Sequence, residues 1–141
     1  MDFRIVPFEG AGGIKFGMSP GSARSQFSGH PRTFKRTSQD EVPCDYFENE
    51  GVFLYYDRNN ELEAIEFVPP ARPYLGGFSP LGKDFEAAKR ELASVASQLQ
   101  EEVDGAVALD IGVSIYSPLA KEDPTSPVES ALVFRNGYYE C

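Results

Sequence analysis

The chain has 141 residues, 41% hydrophobic and 25% charged, with 11 Phe and 7 Tyr and a net charge of −9. Those proportions describe a soluble globular protein rather than a disordered one, and a chain this long buries roughly 68% of its unfolded surface without a disulfide or metal staple. No apolar stretch reaches the roughly 18 residues of a membrane span, the start MDFRIVPFEG has no signal-peptide organisation, and the acidic excess repels phosphate backbones. The expectation is a cytoplasmic protein with neither a membrane nor a nucleic-acid partner.

Phe3 to Phe8 is a short apolar run ended by Pro7 and a glycine-rich turn, and reads at most as an edge strand. The segment Gly10-Ala11-Gly12-Gly13 has neither the GxGxxG nor the GxxxxGK[ST] spacing of a phosphate loop, and Ile14-Lys15-Phe16 reads as a short extended piece. Ser19-Pro20 opens a first helix, with serine as cap and proline at the first helical position, ending near Ser28-Gly29. The following polar loop carries His30, the sole histidine, which has no second ligand or nucleophile nearby and reads as solvated or capping. Arg32, Lys35 and Arg36 read as an ordinary basic loop, with Thr33 to Thr37 a short extended segment. Cys44 and Cys141 lack metal or redox spacing and read as reduced thiols.

Gly51 to Phe67 reads as a complete β-hairpin: Val52 to Tyr56 is an unbroken β-prone run, Asp57 to Asn60 supplies the turn, and Leu62 to Val68 alternates. An odd loop groups Phe53, Tyr55, Glu63, Ile65 and Phe67 on one face, and an even loop groups Phe53, Tyr55, Leu62 and Ala64. The first pairing gathers more apolar area and is the expected register. Charge is uneven along the chain. Residues 1 to 43 hold six basic against four acidic side chains, whereas residues 44 to 69 hold Arg58 alone against seven acids. The hairpin is therefore an acidic pole, suited to a basic protein partner or serving only to keep a sheet soluble.

Residues 70 to 80 form a turn-rich connector whose Tyr74, Leu75 and Phe78 are expected to pack on the body. From Asp84 to about Asp104, Phe85, Ala88, Leu92, Val95, Leu99 and Val103 recur at spacings of three and four, the stripe of a long amphipathic helix stopped by Gly105. Ala106 to Leu109, Ile111 to Tyr116 and Val128 to Phe134 read as strands. Ser117 to Pro127 is a proline-rich loop between two of them, and Asn136-Gly137 is a turn leading to a last strand at Tyr138-Tyr139.

Two stretches of the chain look alike. Gly112-Val113-Ser114-Ile115-Tyr116 matches Gly51-Val52-Phe53-Leu54-Tyr55, and Phe16-Gly17-Met18-Ser19 with Ala23 and Phe27 matches Leu81-Gly82-Lys83-Asp84 with Ala88 and Leu92. The expected fold class is α+β: two pseudo-repeats (about 14–69 and 81–139, with connector 70–80) in a single domain, each a helix followed by an antiparallel β-meander, with the helices on one face of the sheet. On these residues the chain resembles the BLIP-like and BamE-like tandem helix-plus-sheet family. The resemblance implies a sheet that presents aromatic side chains to a protein partner. The sequence lacks that family's secretion signal, lipid-anchoring cysteine and cysteine pair within each repeat, so export, outer-membrane assembly and β-lactamase inhibition are not carried over.

No nucleophile can be paired with a base, and no metal or cofactor motif is present, so no catalytic, cofactor or metal residues are assigned. The expected function is a non-enzymatic cytoplasmic protein-binding protein, such as an inhibitor or immunity-type partner of a basic protein, using Tyr55, Tyr56, Tyr116, Glu61, Glu63 and Glu66. The alternatives are a structural or accessory domain without a dedicated ligand and, further off, an enzyme using the carboxylates of Glu61, Glu63 and Glu66.

Overall fold

A computed structural model describes residues 1–35 and 42–139. Near the N-terminus β1 (Ile5–Val6), β2 (Gly10–Ala11) and β3 (Ile14–Lys15) form a small antiparallel sheet, followed by α1 (Pro20–Arg24). Then come β4 (Arg32–Phe34), β5 (Cys44–Phe47), β6 (Val52–Tyr56) and β7 (Leu62–Phe67). After the connector, α2 (Phe85–Val95) leads into β8 (Leu99–Glu102), β9 (Gly105–Ala108), β10 (Val113–Tyr116) and β11 (Ser130–Phe134). The last eight strands make one antiparallel sheet in the order β4-β5-β6-β7-β11-β10-β9-β8.

The expected fold class is corrected on these elements. Among the described residues the chain is mostly β, 35% strand against 12% helix, with sheets of three and eight strands and two helices, and not two helix-plus-meander repeats. Three local outcomes account for the shift. Residues expected as an edge strand and a glycine turn pair with Ile14 and Lys15 into a sheet of their own. The first helix stops at Arg24 instead of Ser28. The second stops at Val95 instead of Asp104, because Ala96 turns extended and the Asp110 carboxylate accepts the backbone N–H groups of Ser97 (2.8 Å) and Gln98 (3.0 Å). Leu99 to Glu102 then pair with Gly105 to Ala108, so tertiary strand pairing wins over a weak helical propensity.

The inner face of the large sheet holds the main core. Val52, Leu54, Ile65, Phe67, Val113, Ile115 and Val133 pack there with Ala23 and Phe27 near α1, Phe85, Ala88 and Leu92 from α2, and Phe3, Ile5, Ala11 and Ile14 from the small sheet. The connector is also tied in: Phe78 is buried, and Tyr74 exchanges backbone hydrogen bonds with Phe3 and Ile5. Two glycines open strands at similar places. Gly51 (φ 73°) and Gly112 (φ 71°) precede β6 and β10, and a Cβ on either would meet a backbone carbonyl, that of Val68 at 2.2 Å or of Phe134 at 2.6 Å.

The loop from Ser117 to Pro127 is part of the body. Ser117 is buried and donates to the Pro127 carbonyl (2.9 Å), while the carbonyls of Ser126 and Pro124 accept the N–H groups of Phe85 and Glu86. These are first-turn donors of α2 with no partner inside the helix, so the loop completes a cap begun by the Asp84 side chain on Ala87 N.

Asp45 is a fully buried charge on the inner side. Asp45 accepts two bonds from Arg24 (2.7 and 2.9 Å), one from the Tyr56 hydroxyl (2.6 Å) and one from Thr33 (3.3 Å), which ties α1 to three neighbouring strands. Its hydrogen bond and charge raise the Arg24 pKa, and burial, followed by the bond to Asp45, pushes the Tyr56 phenol well above its ordinary value. Because the folded value lies above the unfolded one, this contribution is complete below about pH 10 and is lost as pH rises beyond it. Urea midpoints should therefore fall above about pH 10, and Tyr56→Phe should flatten that fall while costing about 1.5 kcal/mol at neutral pH. Asp45→Ala should cost about 3 kcal/mol, since it strands three donors at once.

Candidate functional site

The outer face of the large sheet has a different composition from the polar one usually met on an antiparallel sheet. In register across the strands it runs from Arg32 and Tyr46 through Phe53, Glu66, Leu132 and Ser114 to Val107 and Gln100. Beside this row lie Phe34, Cys44, Tyr55, Ala64 and Phe134. Cys44, Tyr55, Ala64, Val107 and Phe134 form a second buried cluster, flanked by Phe53, Leu132 and Tyr138, and no helix contributes to it. The Cys44 thiol donates to the Phe34 carbonyl at 3.2 Å.

Aromatic contacts fix the rings. Tyr46 stacks on Phe53 with centroids 4.2 Å apart, and Phe34 meets the same ring edge-on at 6.1 Å. At the other end Tyr138 and Tyr139 fold back over Phe134, at 5.6 and 4.9 Å. The expected final strand at these two tyrosines is accordingly a turn whose side chains cap the sheet. Phe34, Tyr116 and Tyr139 remain exposed, at 38%, 43% and 50%.

Between the two aromatic groups the sheet opens into a cleft of about 370 Å³. Tyr55 and Glu66 line it from β6 and β7, Leu132 and Ser130 from β11, Ser114 and Tyr116 from β10, and Tyr138 from the terminal turn. The Tyr55 hydroxyl donates to Glu66 Oε1 at 2.5 Å, and Ser114 hydrogen-bonds the Tyr139 hydroxyl. No basic side chain pairs with Glu66 among the described residues.

The residues singled out from sequence are thus divided. Tyr55, Glu66 and Tyr116 meet in the cleft. Tyr56 points the other way, buried against Asp45. Glu61 lies at the hairpin turn, where Arg135 pairs with it (3.2 Å) and with Asp57 (3.1 Å). Glu63 sits at a β-bulge, its carbonyl accepting Arg135 N at 3.0 Å. The expected register is also corrected. Phe53 pairs with Glu66 and Tyr55 with Ala64, while the shift before Tyr56 pairs it with Leu62, so Ile65 and Phe67 face inward with Val52 and Leu54. Sequence reasoning missed Ser114, Ser130, Leu132 and Tyr138. Alternation from Tyr116 and from Phe134 was the available signal for the first three, and nothing local marked Tyr138.

His30 is exposed beside Arg32 and Glu48, and no group of three or more His, Cys, Asp or Glu able to hold a metal occurs among the described residues. No described helix is long and apolar enough to cross a membrane. Arg36, Thr37 and Cys141 lie outside the described residues. No protein family, curated protein or solved structure matches the chain.

Two rings of the cleft should respond differently to truncation. Tyr55→Ala removes a buried ring and should cost about 3 kcal/mol, whereas Tyr116→Ala removes an exposed one and should cost under about 1 kcal/mol, both read from denaturant midpoints.

Proposed function

We propose that this chain is a non-enzymatic, cytoplasmic protein-binding protein whose partner is basic and seats on the outer face of the large sheet. The observation that carries this reading is the band of aromatic side chains on that face, from Phe34, Tyr46 and Phe53 across to Tyr116, Tyr138 and Tyr139, which neither helix covers. Contiguous exposed apolar surface on a sheet marks an interaction site more often than a solvated one, and tyrosine supplies contact area at low entropic cost. Charge supports the sign of the partner. The chain carries −9 overall, and residues 44 to 69, which include the hairpin beneath the band, hold seven acidic side chains against Arg58 alone. A buried, reduced thiol at Cys44, donating to a carbonyl, suits a reducing compartment.

The division of labour on the face follows from exposure. Tyr116 and Tyr46 can contact a partner directly, while Tyr55 and Phe134 support them from below. Glu61 and Glu63, at the hairpin turn and the bulge, steer encounter without touching the partner.

Capture of a partner from the native organism, followed by binding kinetics, tests the reading. Tyr46→Ala and Tyr116→Ala should each raise the dissociation rate by about tenfold or more, as hot-spot rings do. Reversing Glu61 and Glu63 to Lys should slow association and flatten its salt dependence. A partner indifferent to both the rings and the charges would overturn the assignment.

A further inference from the structure

We infer that the cleft at the centre of this face is a seat for one lysine side chain of the partner, an inference that rests on the protein-binding reading above. Its volume of about 370 Å³ lies at the small end of the range for ligand sites, which suits one long side chain. Its lining matches lysine part by part. Leu132 offers an apolar surface for the methylene stem, and the rings of Tyr55, Tyr116 and Tyr138 surround the space where a cation would sit. Glu66 supplies the charge.

The state of Glu66 argues for an incoming cation. Its carboxylate is half-buried among phenol rings, takes one hydrogen bond from Tyr55, and has no basic side chain beside it among the described residues. Burial has removed part of its water, and no basic side chain among the described residues has replaced that water with positive charge. A cation entering the cleft supplies the missing counter-charge, in surroundings where it counts for more than on an open surface.

The donor geometry selects lysine over arginine. A guanidinium is a planar fork best met by paired, coplanar acceptors, and the acceptors here, Glu66, Ser114 and Ser130, stand on three different strands, β7, β10 and β11. An ammonium needs one carboxylate oxygen and spreads its other donors over single acceptors. Ser114 and Ser130, which also line the cleft, provide hydroxyl oxygens of that kind.

The test titrates the whole chain with capped Gly-Lys-Gly, following backbone amide shifts of Ser114, Ser130 and Leu132 by NMR. The control peptides carry norleucine, Nε-acetyl-lysine or arginine in the middle position. Saturable shifts with the lysine peptide alone, with a Kd in the millimolar range, are expected. Glu66→Gln should weaken binding about tenfold while keeping an acceptor for Tyr55, and it changes only one of nine net charges, so a general pull on cations would survive it. Tyr116→Ala, at an exposed ring, provides a second variant with the fold intact and should also weaken binding.

Equal responses to norleucine, an arginine peptide binding as tightly as lysine, or a lysine response unchanged in both variants would overturn the inference. So would the absence of saturable shifts with the lysine peptide. A captured partner that binds Glu66→Gln normally but is lost with Tyr46→Ala would overturn the lysine seat alone and leave the face as the interface. Failure to capture any partner, with the peptide result intact, would count against the wider reading instead.

Discussion

The pairing of β7 with β11 is the constraint on which the rest depends. Four residue pairs, from Ala131 opposite Phe67 to Phe134 opposite Ala64, join strands contributed by the two halves of the chain. Contacts between residues so far apart in sequence must offset the entropy of closing a long loop, and side chains buried at the seam, Ile65, Phe67 and Val133, supply the apolar area that does so. Arg135 locks the same seam from the side. Its backbone N–H reaches the Glu63 carbonyl and its guanidinium reaches Asp57 and Glu61, so the end of β11 is fastened to the turn before β7. Without this pairing there would be two four-stranded sheets and no cleft, because Glu66 and Leu132 face each other across it.

A sheet built this way has two faces with different tasks. The inner one is covered by both helices and the small N-terminal sheet, and even its buried charge, Asp45, is matched by Arg24, Tyr56 and Thr33. The outer one carries phenylalanines and tyrosines where solvated sheets carry polar residues. Stability alone gives no reason to leave such rings uncovered. The edges are treated more conservatively, with Gln100, Glu101 and Glu102 on β8 and Arg32 on β4 discouraging a further strand from adding there.

The strands β6, β7, β10 and β11 were legible in the sequence to within about two residues, and so were the capped starts at Ser19 and Asp84, because alternation, turn residues and caps are local signals. The glycines before β6 and β10 were also visible as a recurring Gly-Val start, and the structure gives them the same positive φ and the same closeness to a carbonyl. What was not legible depended on partners distant in sequence. The stripe from Phe85 to Val103 fits a helix throughout, yet Asp110 and β9 draw its last third into a strand. The hairpin register turned on a single bulge at Glu63, and apolar area gave the wrong answer because Ile65 and Phe67 belong with Val52 and Leu54 on the inner face. The site was half visible: Tyr55, Glu66 and Tyr116 stood out, and the serines between them did not.

The acidic residues show why composition alone could not sort structure from recognition. Asp45, Glu61 and Glu66 all lie within the acid-rich stretch and look alike in sequence. In the fold Asp45 is fully enclosed and paired with Arg24, Glu61 is clamped by Arg135 at a turn, and Glu66 sits half-buried in a cleft with a phenol beside it and no cationic partner among the described residues. The first two have found counter-charges within the chain, and those ion pairs help hold α1 and the hairpin turn in place. Of these three, Glu66 is the one that lines a space large enough for another molecule, a difference in surroundings that the total of −9 does not show.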